Sequence, residues 1–171
     1  MSPENRYKFY NLMKKNNIPI IEDGFNEELL YSSSHIFPIC SLDNNSNGVI
    51  YIGSFSKILF PGLRIGWLLG DKKLINRLES VKRATTIHVS FLDQGILYDY
   101  LQNGAFEKYI KKTRKYYGDK FNFAKKCVEK YIDCEHILGD GGLHLFLIFK
   151  DLDTRKLLDE CYKKDVIFMP G

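Results

Sequence analysis

The sequence predicts an α/β fold in which short apolar strands precede a series of amphipathic helices. Apolar runs of four to six residues lie at 18–21, 49–53 and 65–70, and polar or turn-forming residues bound each of them. From Asp71 onward, apolar side chains recur at three- and four-residue steps, which is typical of helices that bury one face. The chain has 171 residues, of which 44% are hydrophobic and 27% are charged, so it is long enough to bury a core.

The first two elements have recognisable boundaries. A helix is predicted over 3–17, because Ser2 followed by Pro3 is a typical helix start. Residues 18–21 predict a buried strand, and the acidic pair Glu22–Asp23 follows it directly.

The lengths of the connections predict how the first three strands pair. Residues 24–48 are long enough for a crossover, so the first two strands can run parallel. Residues 54–64 are short for a crossover, which needs ~10–12 residues or more, so the third strand is predicted to be antiparallel. The ends of the two parallel strands then share one edge with the start of the third strand, and open α/β sheets bind ligands at such an edge. Five polar residues are predicted to gather there: Asp23, Ser54, Ser56, Lys57 and Arg64.

The C-terminal half is predicted to be mainly helical. We expect helices from Asp71 and at about 90–102, 105–132 and 153–164, and strands at 143–149 and 166–168. Asn103–Gly104 is expected to cap the second of these helices, and a boundary between two lobes is expected near 104–112. Trp67 lies between two glycines of the third strand and is expected in the core.

Composition and charge exclude several classes of function. The net charge is only +4, and the densest basic stretch, 108–115, has helical spacing, which favours a solvated helix face over a nucleic-acid surface. The four cysteines form neither a CxxC pair nor a zinc-ligand pattern, which indicates free thiols in a reducing compartment. No apolar run approaches the ~20 residues of a membrane span, and the first ten residues lack the apolar core of a signal peptide. We therefore expect a cytoplasmic protein with neither a membrane segment nor a metal.

The polar residues at the predicted sheet edge are of the types that bind a phosphorylated aldehyde. A lysine amine can form an imine, while hydroxyls and a guanidinium can hold a phosphate. A carboxylate at the end of the neighbouring strand, Asp23, could hold the proton of a pyridine nitrogen. The alternative is that Lys57 and Arg64 are merely exposed residues at strand ends, and spacing alone favours that alternative.

A resemblance to a known family changes this balance. The segment YIGSFSKILFPGLRIGW at 51–67 resembles the lysine signature of class I/II aminotransferases, which are fold-type-I enzymes that use pyridoxal 5′-phosphate (PLP). The segment IIEDGFNEELLY at 20–31 is similar to a segment of MocR-type regulators, the GntR-family transcription factors with an aminotransferase-like effector domain. Further similarities extend to 142–144, so the resemblance covers essentially the whole chain.

The resemblance implies a fold and a role for each site residue. It implies the C-terminal part of a mostly parallel, PLP-binding large-domain sheet with one antiparallel strand, plus most of a small α/β lobe. Residues 1–104 would belong to the large domain, and 105–171 would form a linking long helix and a partial small domain. Lys57 would be the Schiff-base lysine, and Asp23 would pair with the pyridine nitrogen. The PLP phosphate would be held by the remaining three residues, Ser54, Ser56 and Arg64.

The chain also departs from the family pattern at the site. Phe25 stands where the family has a cofactor-binding tyrosine, which is expected to weaken catalysis more than binding, and Gly24 replaces an acidic residue. The resemblance implies that the family's phosphate loop, ring-stacking aromatic and substrate-gripping arginine would lie outside this chain. We therefore expect part of a site, with PLP as the cofactor of the intact protein but poorly bound by this chain alone.

The expected function is that of an effector domain in a GntR/MocR-type transcriptional regulator. PLP, or its imine with an amino acid, would be the effector, DNA would be bound only through a missing N-terminal domain, and the protein would be a homodimer. The first alternative is part of a genuine class I/II aminotransferase, in which Lys57 would also move a proton. The second is a folded remnant that serves only in dimer contacts.

Overall fold

The computed structural model describes residues 1–24, 27–31, 37–43 and 48–171. The helices are α1 (Pro3–Lys15), α2 (Lys72–Thr85), α3 (Phe91–Gln102), α4 (Ala105–Tyr131) and α5 (Thr154–Tyr162). The strands are β1 (Ile20–Asp23), β2 (Val49–Ser54), β3 (Gly66–Leu69), β4 (His136–Leu138) and β5 (Phe146–Ile148). Short 3-10 turns lie at Glu27–Leu29, Ile39–Leu42 and Pro61–Leu63.

Helix α1 begins where the sequence predicts it. The side chain of Ser2 accepts a hydrogen bond from the amide of Asn5, and Pro3 occupies the first helical turn, where a missing N–H costs nothing. The helix buries Tyr10 against Ile20 and Val49, so it covers the start of the first two strands.

The sheet confirms the predicted strand pairing. The order is β1-β2-β3, with β1 parallel to β2 and β3 antiparallel to β2. One parallel and one antiparallel pair do not make a mostly parallel sheet, so the expectation of a mostly parallel sheet is not confirmed. A separate two-stranded antiparallel sheet is formed by β4 and β5.

One face of the sheet is built around glycines that leave room for aromatic rings. A Cβ at Gly53 would lie 2.1 Å from the ring of Trp67, so only a glycine allows the Trp67 ring to lie across β2. The ring of Trp67 stacks on Tyr51 at 5.0 Å between centroids. The expectation that Trp67 is a core residue is wrong, because β3 is an edge strand of this sheet and leaves Trp67 41% exposed.

The C-terminal half confirms the predicted helices but not all of the strands. The strand predicted over 143–149 is shorter, at Phe146–Ile148, and β4 was not predicted. The strand predicted at 166–168 is wrong: these residues have no regular structure, because no strand pairs with them among the described residues.

Helix α4 joins the two halves of the chain. Leu29 is completely buried and packs with Ile58 and Ile110, which come from the sheet region and from α4. Nearby, a Cβ at Gly118 of α4 would lie 3.5 Å from the ring of Tyr31. Residues 27–31, which follow β1, therefore connect the sheet to the C-terminal half.

Candidate functional site

The strand ends meet at one edge of the sheet. The register pairs Asp23 with Ile52 and Ser54 with Gly66. Because side chains alternate along a strand, Asp23, Ile52 and Ser54 lie on the same face. Arg64 precedes Gly66 by two residues, so the backbone positions of Asp23, Ser54 and Arg64 all belong to this edge.

Lys57 lies in a tight turn directly after β2. The hydroxyl oxygen of Ser54 accepts a hydrogen bond from the amide of Ser56 at 3.2 Å, and the amide of Phe55 donates to the carbonyl of Ile65 at 3.1 Å. The next residue, Ile58, is 2% exposed, and its burial anchors the turn while Lys57 itself is exposed. The Ser54 hydroxyl accepts in this contact and keeps its own proton for donation to a ligand.

Arg64 has an unusual backbone conformation for a residue other than glycine. Its φ is 52°, in the left-handed region, at the end of the 3-10 turn Pro61–Leu63. Both chain neighbours, Leu63 and Ile65, are buried, whereas Arg64 is exposed and donates to the carbonyl of Pro61 at 3.4 Å. The two buried neighbours hold the strained residue in place, which is a pattern found at binding sites.

Behind this edge lies a network of charges that was not predicted from the sequence. Glu22 is 8% exposed and accepts hydrogen bonds from the amides of Ile39 and Cys40 and from the Arg6 guanidinium. Arg6 also lies 3.8 Å from Glu27, whose carboxylate accepts the hydroxyl hydrogen bond of Tyr51 at 2.9 Å. The burial of Glu22 could have been predicted from the sequence, because side chains alternate along a strand and Glu22 therefore lies on the same face as the apolar Ile20.

Phe25, at the position where the family has a cofactor-binding tyrosine, lies outside the described residues, so its place in the cofactor site stays a prediction. Within the described ranges, no group of three or more His, Cys, Asp or Glu side chains is placed to hold a metal ion. No helix in the described part of the chain is long and apolar enough to cross a membrane.

Two shallow cavities lie away from the predicted edge. One, of about 350 Å³, is lined by residues of α4 and of the turn before β5, among them Lys120 and His144. The other, of about 490 Å³, lies at the end of α4 near Cys134 and His136. Neither is lined by any of the five predicted edge residues, so these cavities are not the predicted site.

Comparisons with known proteins agree with the resemblance carried by residues 51–67. A sequence model described as aminotransferase class I and II matches residues 1–171. The HTH-type transcriptional regulator YisV of Bacillus subtilis is 31% identical over 100% of this chain and 36% of its own length. Aromatic-amino-acid aminotransferase 1 of Thermococcus litoralis is 29% identical over 100% of this chain and 42% of its own length.

Solved structures show the same fold over the whole chain. The multiple substrate aminotransferase of Thermococcus profundus superimposes with a TM-score of 0.91 at 30% identity, covering 100% of this chain and 43% of that one. The kynurenine aminotransferase of Pyrococcus horikoshii, solved in complex with PMP, superimposes with a TM-score of 0.92 at 31% identity and the same coverage. The chain spans less than half the length of these relatives. The α/β fold is thereby confirmed, and the chain belongs to the aminotransferase class I and II family.

Proposed function

We propose that this chain is the PLP-binding part of an aminotransferase-like effector domain in a GntR/MocR-type transcriptional regulator. The observation that carries the proposal is the strand register, which brings Asp23, Ser54 and the loop from Lys57 to Arg64 to one edge of the sheet. The family membership supplies the cofactor class, and the 31% identity to an HTH-type regulator supports the regulatory branch.

The residues at the edge fit PLP by their chemistry. Bound PLP supplies an aldehyde and an electron-accepting ring. Lys57 carries an amine on an anchored turn, and Asp23 provides a carboxylate on the same sheet face as Ser54. Ser54 and Ser56 offer hydroxyl donors and Arg64 a guanidinium, which together match a phosphate dianion.

In this proposal each residue has one task. Lys57 would hold the cofactor through its amine, with the aldehyde oxygen lost as water, and Asp23 would keep a proton on the ring nitrogen. Ser54, Ser56 and Arg64 would bind and orient the phosphate. Asp23, Lys57 and Arg64 are all exposed, so a ligand can reach each of them.

The connection between this edge and the C-terminal half supports a sensing role. Residues 27–31, the segment that follows β1, contact the glycine-rich turn at 139–142. The Tyr31 hydroxyl donates to the carbonyl of Gly142 at 2.8 Å, and the amide of Gly142 donates to the carbonyl of Leu29. Arg114 of α4 donates to the backbone carbonyl of Glu28. The segment that follows Asp23 in the chain is therefore hydrogen-bonded to α4, and an effector domain needs such contacts between its ligand edge and the rest of the chain in order to change shape.

The second candidate is part of a catalytically active aminotransferase. It is supported by the relatives and solved structures that are aminotransferases, among them the Thermococcus litoralis enzyme. In that case Lys57 would also move a proton to and from the substrate.

Both candidates are tested with the natural full-length protein. Titration with PLP should produce a visible absorption band that Lys57→Ala abolishes and Lys72→Ala, a change of an exposed lysine in α2, leaves intact. The regulator proposal expects DNA binding that responds to PLP or an amino acid, with slow transamination over an amino-acid panel. Fast turnover without DNA binding would favour the enzyme, and a band that survives Lys57→Ala would contradict both.

A further inference from the structure

The two chain neighbours of Asp23 are anchored on the sheet face opposite to Asp23 itself. Alternation along the strand directs Glu22 and Gly24 to one face and Asp23 to the other. Glu22 is held by the network of Arg6 and two backbone amides described above. The hydrogen bonds between β1 and β2 extend one residue past β1, because the amide of Gly24 donates to the carbonyl of Ile52 at 2.9 Å.

The Tyr51 side chain lies over Gly24 and is hydrogen-bonded to Glu27. A Cβ at Gly24 would lie 1.9 Å from the Tyr51 hydroxyl oxygen and 2.0 Å from the ring carbon that bears it, so only glycine leaves room for this ring. The hydroxyl donates to Glu27, and the ring is 5% exposed and stacked on Trp67. Burial raises the pKa of Tyr51 above its ordinary value, so the hydroxyl keeps the proton that it donates.

We propose that Tyr51 is a positioning residue for Asp23, because its hydrogen bond to Glu27 spans Gly24 and fixes the strand end that carries the Asp23 carboxylate. The inference rests on the proposed function, in which Asp23 holds a proton on the cofactor ring. It also accounts for one departure from the MocR pattern: an acidic side chain at position 24 would occupy the space of the Tyr51 ring.

Two tyrosines provide a matched pair of variants. Tyr51 and Tyr10 are 5% and 6% exposed, and their hydroxyls donate to Glu27 at 2.9 Å and to Asp43 at 3.0 Å. Tyr10 lies in α1, against the start of the strands, and not at the strand ends. Tyr51→Phe and Tyr10→Phe therefore each remove one buried hydroxyl that donates to a carboxylate, but only the first removes a contact next to Asp23. The Tyr10 hydroxyl also accepts from the Lys14 ammonium at 3.4 Å.

The experiment uses the natural full-length protein and has three readouts: PLP affinity, the visible circular dichroism of bound PLP, and amide hydrogen exchange of the cofactor-free protein. Tyr51→Phe should weaken PLP binding about three- to tenfold and change the circular dichroism, which reports ring orientation. It should also speed exchange of the amides at 22–24 and 27–29. Tyr10→Phe should leave all three at wild-type values, while both variants lose thermal stability.

The outcomes separate this inference from the proposed function. Equal effects of the two variants on affinity and dichroism, or no effect of Tyr51→Phe, would overturn the positioning role. If Lys57→Ala keeps wild-type PLP affinity and spectra, the proposed function fails instead. In that case only the hydrogen exchange of the cofactor-free protein tests whether Tyr51 fixes the strand end. Unchanged exchange of the amides at 22–24 in Tyr51→Phe would overturn the inference.

Discussion

Glu22 is a buried carboxylate whose charge is compensated by three donors. Two are backbone amides at 2.7 and 2.9 Å, and the third is the guanidinium of Arg6 at 3.2 Å. Removing such an acceptor leaves a partly buried cation and two amides without a partner, which costs far more than the loss of an exposed ion pair. Glu22 is thus a structural residue, although it adjoins the predicted site residue Asp23.

We predict that Glu22→Ala lowers the free energy of unfolding by about 3 kcal/mol. Glu79→Ala, which removes the exposed pair with Arg83 within α2, should cost less than ~0.5 kcal/mol. Urea denaturation of both variants measures the difference. A loss at Glu22 as small as that at Glu79 would contradict the structural role.

Glu28 gives the stability of the protein a dependence on pH. Burial raises the pKa of the Glu28 carboxyl above its ordinary value of 4.5, because it disfavours the charged form. The folded state therefore binds more protons than the unfolded state between 4.5 and the raised pKa. The free energy of unfolding consequently falls as the pH rises through this window.

Glu28→Gln should remove the loss of stability that ionisation of Glu28 causes, and should therefore raise the melting temperature at pH 7. At pH 4 the wild-type carboxyl is largely protonated in both states, so the difference between wild type and variant should shrink. Thermal unfolding at the two pH values tests this, with Glu79→Gln as the exposed control. A variant that is destabilised equally at both values would show that burial of the Glu28 charge is unimportant.

At the scale of elements, the contact between the segment after β1 and the glycine-rich turn depends on a close approach of two backbones. Leu30 forms an isolated bridge with Gly141. A Cβ at Gly141 would lie 2.4 Å from the carbonyl oxygen of Leu29 and 2.8 Å from the Cα of Leu30. These are backbone atoms and cannot move aside as a flexible side chain would.

Gly141→Ala should therefore destabilise the protein by ~1–3 kcal/mol, because the two segments must separate. Gly95→Ala is the matched control: Gly95 lies within α3 with open space around it, so alanine should stabilise by ~0.5–1 kcal/mol through its higher helix propensity. Chemical denaturation measures the change in the free energy of unfolding of each variant, which should be negative for Gly141→Ala and positive for Gly95→Ala. Equal stability of Gly141→Ala and wild type would contradict the tight contact.

The elements that could be predicted are those with local signals. Helix α1 has its Ser2 cap and Pro3, and the antiparallel β3 followed from the short connection after β2. Strand β4 has three residues and no alternating pattern, so only its pairing with β5 reveals it. Residues 166–168 show the converse error, since an apolar run predicts a strand without showing whether a neighbouring strand exists.

The site shows the same division between local and long-range information. The motif at 51–67 placed Lys57 and Arg64 in a loop between two strands, and the loop is there. The Arg6–Glu27 contact and the crossing of Tyr51 over Gly24 join residues more than twenty positions apart, so spacing could not predict them. The roles of Lys57, Asp23, Ser54, Ser56 and Arg64 toward a cofactor stay predictions.

At the scale of the whole molecule, large apolar side chains are exposed around the start of α3. Ile87, Phe91 and Leu92 are each more than 70% exposed. Clustered exposed apolar residues are typical of interaction surfaces. We expect the natural full-length protein to be a homodimer, so light scattering after gel filtration should give the mass of two chains. A monomer mass at every concentration would contradict this.

Covalent binding of PLP by Lys57 can be tested by chemical trapping. The natural full-length protein is incubated with PLP, reduced with borohydride, digested and mapped by mass spectrometry. We predict a phosphopyridoxyl group on the peptide that contains Lys57, and its loss in Lys57→Ala. A label absent from that peptide, or found equally on exposed lysines such as Lys72 and Lys73, would contradict it.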